Sequence, residues 1–455
     1  MEKKKIFIIL TYTLAGIGGS QLYASGKTEY LKKNGWEVHC YSNLNVPVGT
    51  DNAVPSLKEY IQKGCGELEF LQVFPSNFRK SEQRMFINFL IQHMGIINPK
   101  ECEIVIESHH ITEHLWGELL AAKLGARHFC VFLHEAAAYG QNYRDFADFF
   151  YFKWQRNEIL GGEAAFTRIF KGYKNISATL YKMPDTVHEQ EPVQDVDFPL
   201  INRIQKRDYN ICHIGRIDKL YVPYAIEGVA EFARRHPDKT ICFIFIGKVD
   251  SRKDFIVKTF APLGNVEVIA PGNMFPIPRI LFSKVDVVLA SAQSALFAAN
   301  EGVLTVAGNG ETFNKTQGVL GYDTSSPTYG DAKFSYVEVL ENVLVKRLYD
   351  GKEYQLPKLR PAEEYYENFW TIVEKAAPAK EYYVERLSQE KFRYWTAIFP
   401  FGTVSRGARI IFFGNTEIAK DYRQQIQSQQ NNKMEIGYGY IKQFNTPPRI
   451  MTLKL

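Results

Sequence analysis

The feature that most constrains this chain is an alternation of short apolar runs with helix-period segments, made twice over. KIFIIL, WEVHCYS, ECEIVIESHH and RHFCVFLHE are apolar on both faces, and SQLYASGKTEYLKKN and EHLWGELLAAKLG stand among them. A strand that is apolar on both faces must be covered on both, so this alternation predicts a parallel sheet between two helical layers. From Glu189 to Gln205 the pattern stops in EQEPVQDVDFPLINRIQ, a stretch with two prolines that reads as a linker. It then restarts with YNICHIGR, the helix PYAIEGVAEFARRHP, the strand TICFIFIGK, the segment NVEVIA, the helix IPRILFSK and the strand VDVVLASA. At 455 residues the chain exceeds what one core usually organises. The expected division is a first Rossmann-like domain over 1–190, a second over 205–379, and a tail over 380–455. The tail opens on a charged aromatic helix and holds one further strand–turn–helix unit, ARIIFFGNTEIAKDYRQQIQ.

Composition narrows the function classes. Apolar residues make up 45% and charged residues 23%, a globular balance. The net charge of +5, from 55 basic and 50 acidic residues, is too mild and too dispersed for nucleic-acid binding. The six cysteines, Cys40, Cys65, Cys102, Cys130, Cys212 and Cys242, form no CxxC pair. Cys130, Cys212 and Cys242 sit in strand-like runs and read as buried small hydrophobes of a reducing compartment. The start, MEKKKIFIILTYTLAGIGGS, has a basic end and an apolar run, but the dense part is only Ile6 to Leu10. A first strand entering a glycine turn explains it better than a secretory signal. No stretch approaches the roughly 20 apolar residues of a membrane span, and a cytoplasmic protein is expected.

Four segments could carry chemistry. GIGGSQ, Gly16 to Gln21, joins the first strand to the first helix; glycines there let backbone approach a phosphate or sugar at a helix N-terminus. Its G-x-G-G spacing is not a dinucleotide fingerprint, and a plain glycine-rich turn is the competing reading. HIGRIDK, His213 to Lys219, ends the first strand of the second half, where Arg216 and Lys219 would neutralise a diphosphate leaving group. SAQSALFAANEGVLTVAGNGE, Ser291 to Glu311, offers Ser294 at a helix start as a second phosphate cradle and Glu301 as an acceptor for ribose or sugar hydroxyls. Glu301 reads almost as well as a solvated helix end. The fourth set is His109, His110 and His134; His134 with Glu135 closes a strand and would meet a sugar, while the three histidines lack the spacing of a metal site. Phe78 to Gly95 mixes basic and bulky apolar residues at helical spacing. It reads either as a helix packed on its own domain or as a peripheral contact with the inner membrane face that presents a lipid-linked acceptor.

In order, GIGGSQ, FLHE, GRIDK and NEGVLTVA resemble the glycosyltransferase 4 type of GT-B glycosyltransferase, over about Lys5 to Ala379. The resemblance implies an α/β fold of two doubly wound Rossmann-like domains facing each other across a cleft, with a small C-terminal extension. It implies hexosyl transfer with retention from a nucleotide-sugar donor to a glycan or lipid-linked acceptor in cell-surface polysaccharide biosynthesis, with no cofactor and no obligatory metal. Gly18 and Gly19 match the glycine loop near diphosphate and acceptor, with Ser20, His109 and His110 on the acceptor side. His134 matches the histidine that reaches the donor sugar. Gly215 and Arg216 match the G-R motif at the diphosphate, with Ser294 and Glu301 completing the donor side. Gly302 matches the glycine preceding the next strand.

Two departures stand out: Tyr221 occupies the usual lysine position, Lys219 coming three residues after Arg216, and Phe297 stands where the second glutamate of E-x7-E would fall. A nucleotide-sugar 2-epimerase of the same fold, or a non-catalytic glycan- or partner-binding subunit, are the alternative readings. FPFGTVSRGARIIFFGNTEIAKDYRQQI is similar to the start of a Rossmann-like module on some polysaccharide glycosyltransferases, keeping Gly414 of its turn.

Overall fold

The computed structural model describes residues 3–16, 18–42, 54–64, 68–133, 143, 146–161, 169–170, 201, 204–247, 253–272, 274, 277–356, 362–376 and 381–387. His134, Glu135, Cys65 and the strand–turn–helix unit around Gly414 lie outside them. The chain divides into two compact units, Met1–Met183 with Ala362–Leu455, and Pro184–Pro361.

The first unit runs β1 (Lys4–Thr11), α1 (Gly19–Lys33), β2 (Glu37–Ser42), α2 (Lys58–Gly64), α3 (Lys80–His93), β3 (Cys102–Ser108), α4 (Ile111–Leu124), β4 (Arg127–Phe132), α5 (Ala147–Gln155) and β5 (Ile159–Gly161). The five strands form one parallel sheet in the order β2-β1-β3-β4-β5. In β1, Ile8 pairs with His39 on one side and Ile106 on the other. The period of two in a strand sends alternate side chains to opposite layers. Ile6, Ile8 and Leu10 enter one core with Leu115 and Trp116 of α4. Phe7 and Ile9 enter the other, with Tyr23 and Leu31 of α1.

The helices end where the sequence stops them. Gly35 follows α1 at φ +79° and Gly125 follows α4 at φ +67°, left-handed positions that glycine adopts without a Cβ penalty. Lys32 and Lys33 occupy the last turn of α1, where the helix dipole favours cations. The apolar residues Ile87 and Leu90 of α3 are buried, and Phe86 stacks on Phe70 at 4.5 Å. The described face of this basic, apolar helix is therefore spent on its own unit, with Met85 exposed beside it. No described helix is long and apolar enough to cross a membrane.

The second unit runs β6 (Tyr209–Ile214), α6 (Val222–Arg235), β7 (Ile241–Ile246), α7 (Lys253–Phe260), β8 (Val266–Gly272), β9 (Val287–Ala290), α8 (Gln293–Asn300), β10 (Thr305–Gly308), β11 (Thr316–Val319) and α9 (Tyr336–Leu340). Its order is β11-β10-β9-β6-β7-β8, parallel except for β11. The segment IPRILFSK, expected as an α-helix, contains a 3-10 stretch over Arg279–Lys284 instead. Cys130, Cys212 and Cys242 are buried free thiols in the sheets.

Helix α6 approaches α9 closely because position 228 is glycine; an added Cβ would overlap Tyr336 Cβ. Overpacking of this kind costs typically 1–3 kcal/mol. Gly228→Ala is expected to lower unfolding free energy by about that amount in a urea melt, with an unchanged m-value.

The second unit stops at Pro361, not near Ala379 as the alternation suggested. The helix α10 (Ala362–Lys375) returns to the first sheet. Phe369 meets Phe7 edge-on at 5.8 Å, and Trp370 stacks on Trp36 at 4.7 Å. Its aromatic face covers the layer beside α1, which the first half of the chain leaves incompletely filled. The short helix α11 (Val384–Leu387) belongs to the same unit: just before it, Tyr383 N–H donates to Glu118 and Tyr382 OH donates to the Ala126 carbonyl.

Candidate functional site

In each unit the strand order reverses once. From β1 the chain goes through α1 to β2 on one side, and β3, β4 and β5 build the other. From β6 it goes through α6 to β7 and β8, and β9 to β11 build the other side. Loops diverge at such switch points and leave a crevice outside the carboxyl ends of the strands, where open α/β sheets bind ligands. The segments singled out from sequence fall there: Gly16–Ser20 after β1, His109 and His110 after β3, Gly215–Lys219 after β6, and Ser291–Ser294 after β9.

In the second unit, Gly215 leaves β6 at φ +151° with its N–H on the Ile246 carbonyl. Gly247 ends the neighbouring β7 at φ +149°, and a Cβ on it would run into the Gly215 carbonyl. The turn that follows holds Arg216 and Lys219, joined by a 3.3 Å backbone bond. Arg216 is 64% exposed and meets only Asp218, at 3.3 Å, among the described residues. An exposed pair of this sort is worth about 0–1 kcal/mol, so Arg216 can exchange it for a ligand at little cost. Lys219 is half-buried. Burial, reinforced by the Arg216 charge, pulls its ammonium down to about 8.

Beneath this turn His213 is fully buried, stacked on Phe245 at 4.6 Å, with both ring nitrogens unpartnered. Burial and then Lys219 push it down to about 3, so it is a neutral floor. Tyr221, the residue at the departure from the family pattern, is buried as well, its ring against Gly308. It serves packing and not charge.

Across the switch point, Ala292 caps α8 at φ 57° and ψ −135°, a strained conformation for a residue with a Cβ. Its N–H is bonded to the Pro327 carbonyl, which holds the turn in place. Ser294 lies in the first turn of α8, where free N–H groups and the helix dipole favour an anion. Glu301 does not join it. It caps the opposite end of the same helix, about 10 Å away at the helical rise per residue, in a 3.1 Å ion pair with Arg279. Glu301, expected to accept from donor hydroxyls, thus stands at the C-terminal end of α8 and not beside Ser294.

In the first unit, Gly18 caps α1 in an extended conformation and supplies no side chain to the first-turn N–H groups. Gln21 Nε2 donates to the Thr13 carbonyl at 2.9 Å and pins the loop. A Cβ on Gly18 would press on Gln21 Oε1 at 2.8 Å, so glycine keeps that contact open. Gly19 and Ser20 begin the helix behind it.

On the β3 side, the structure adds residues that the sequence did not single out. His109 Nε2 lies 2.6 Å from Glu107 Oε1, Tyr23 OH donates to the same oxygen at 2.9 Å, and Lys27 pairs with the other oxygen. Burial alone would raise the Glu107 carboxyl, but Lys27 and then His109 overcome it and hold the group well below the usual carboxylate range. Their signals were Glu107 inside the otherwise apolar IVIES run, and Lys27 four residues after Tyr23 on the buried stripe of α1. A second buried network joins Ser108, His128, Glu118 and Lys153, and it is wholly enclosed. Among the described residues no group of three or more His, Cys, Asp or Glu side chains is placed to hold a metal ion.

No family model and no curated protein matches the sequence. Solved structures do match the fold. A glycosyltransferase from Rickettsia africae ESF-5 superposes with a TM-score of 0.51 at 8% identity, over 88% of this chain and 99% of that one. Alr3699/HepE from Anabaena, solved in complex with UDP and glucose, gives a TM-score of 0.50 at 11% identity, over 86% of this chain and all of that one (100%). At such identities the likeness is one of fold: the chain has the two-domain, Rossmann-like α/β architecture of the GT-B glycosyltransferases.

Proposed function

We propose that this chain is a glycosyltransferase of the glycosyltransferase 4 type. It would move a hexosyl unit, with retention, from a nucleotide-sugar to a glycan or lipid-linked acceptor of a cell-surface polysaccharide, at the cytoplasmic side. The observation that carries this reading is the switch point of the second unit. Two cations, Arg216 and Lys219, leave β6 there, and the α8 N-terminus with Ser294 follows the adjacent β9. Both favour an anion, and a nucleoside diphosphate gains negative charge as the sugar departs, so preorganised cations stabilise the transition state more than the ground state. The likeness to HepE, a protein solved with UDP and glucose, supports the same ligand class. Gly18, Gly19 and Ser20 with His109 and His110 form the acceptor side in this reading; His134 lies outside the described residues.

Thermal-shift screening against UDP-, GDP-, ADP- and CMP-linked sugars tests the reading. A shift with at least one donor is expected, with nucleotide released only when acceptor is added. Release without acceptor would turn the reading toward a 2-epimerase or hydrolase, and no shift with any donor would remove both enzyme readings.

The lowered Lys219 adds a pH signature. Its ammonium is the form that attracts phosphate, and it is lost as pH rises through about 8. Nucleoside diphosphate affinity is expected to fall between a pH of roughly 7 and 9, and the fall to flatten in Lys219→Met, as read by calorimetric titration across that range.

A further inference from the structure

The first sheet has a concavity at the amino ends of its strands, on the side away from the crevice. Lys5, Glu103 and Arg127 stand at the starts of β1, β3 and β4, and Lys5 pairs in register with Glu103. Lys5 shares the period of Phe7 and Ile9, Glu103 that of Val105, and Arg127 that of Phe129 and Val131. All three therefore fall on the sheet face that α1 and α10 cover. There the apolar layer ends and charged residues take over. Along β1 this edge is roughly 20 Å from the crevice at the strand rise per residue.

With Trp36, Trp370 and Glu374, these three side chains line a cavity of about 320 Å³. Every lining residue belongs to the first unit. The volume lies in the class that takes a small ligand. Its wall is aromatic: Trp370 is half-buried and stacks on Trp36 at 4.7 Å. Its charges cancel, since Lys5 and Arg127 stand with Glu103 and Glu374. Arg127 donates to the Val373 carbonyl at 2.8 Å and to Glu103 at 3.3 Å, which fixes the guanidinium plane and leaves other N–H groups over. Lys5 and Glu374 have no ion-pair partner among the described residues.

These features select by chemistry. A phosphate gains little where cations and carboxylates are present in equal number. A planar base needs an open indole face, and Trp36 and Trp370 each cover one face of the other. A saccharide has an apolar C–H face for an indole, and hydroxyls that both donate and accept. We propose that this cavity is a second saccharide site, holding a neutral sugar residue of a glycan on the side of the first sheet away from the crevice. Trp370 gives the apolar surface, Glu374 accepts from hydroxyls, and Lys5 and Arg127 donate to hydroxyl oxygens. The inference goes beyond the proposed function and does not rest on it, because binding here needs neither a donor nor a transfer step.

The test is fluorine NMR on the full chain with its five tryptophans replaced by 5-fluorotryptophan. Trp36→Phe and Trp370→Phe assign the two signals of the cavity. The probes are the methyl glycosides of glucose, galactose, mannose and N-acetylglucosamine, with glucose 6-phosphate for comparison. At least one neutral glycoside is expected to shift the Trp370 signal saturably, and to bind more tightly than glucose 6-phosphate. Its affinity is expected to fall by about ten-fold or more in the double variant Lys5→Met with Glu374→Ala. Both side chains lack ion-pair partners, so the variant should melt as the wild type does, and its tryptophan signals report its fold directly. A Trp370 signal unmoved by every neutral glycoside overturns the inference. So does equal affinity in the double variant, or tighter binding of glucose 6-phosphate. Failure of the chain to bind any nucleotide-sugar counts against the proposed function and leaves these expectations in place.

Discussion

Arg216→Ala is expected to reduce sugar transfer by about 10²- to 10³-fold, the range for removing one preorganised group from developing negative charge. The substitution should leave the fold intact, because Arg216 is 64% exposed and its ion pair with Asp218 lies at the surface. The turn itself does not depend on the side chain. It is set by Gly215, by the Gly215 N–H on the Ile246 carbonyl, and by the Gly247 backbone that passes beneath. Arg216→Lys keeps the charge but loses the planar fork, so it should recover only part of the rate. Steady-state kinetics with a thermal melt on each variant check this. Wild-type-like turnover in Arg216→Ala would mean that the diphosphate is held elsewhere.

The second large effect concerns stability. Lys27→Met is expected to destabilise the first unit by about 3–5 kcal/mol, because it leaves the Glu107 carboxylate buried without its countercharge. Lys27 is 1% exposed and Glu107 fully buried, so water cannot compensate. Lys27 also sits 3.3 Å over the Phe369 ring, so the loss should loosen α10 as well. A double variant, Lys27→Met with Glu107→Leu, should recover most of the stability, since apolar replacement of a whole buried pair is often neutral. Urea melts of the two variants measure both numbers. A single-variant cost below about 1 kcal/mol would show that the pair is not coupled as the geometry implies.

The linkage has a definite sign. The folded Glu107 carboxyl lies below its unfolded value, so its contribution is present above the unfolded value and is lost as pH falls through the folded one. Lys27→Met should therefore remove part of the acid branch of the stability profile.

The fold was legible because it rests on local signals. Doubly apolar strands, helix-period segments between them, and glycine turns after β1 and β6 all name their own structure. The switch-point loops were legible for the same reason: a glycine turn and a G-R turn each declare a strand's carboxyl end. Partners far apart in the chain were not. Lys27 and Glu107 stand 80 positions apart, and either alone reads as a misplaced charge. The amphipathic pattern of α10 announces a buried face without saying which sheet it covers, so the second unit was extended past Pro361. Glu301 falls at the helix end that one of its two sequence readings gave it, in a pair with Arg279 that its spacing did not announce. The strain at Ala292 left no trace, since an alanine gives no hint of positive φ.

The central claim is that the switch point between β6 and β9 holds the diphosphate of a nucleotide-sugar. Calorimetric titration of the full chain with UDP, GDP, ADP and CDP, wild type beside Arg216→Ala, tests it most directly. The expected result is saturable binding of at least one nucleoside diphosphate to the wild type, weakened by about ten-fold or more in the variant. Binding of none of the four, or equal affinity in both proteins, would contradict it.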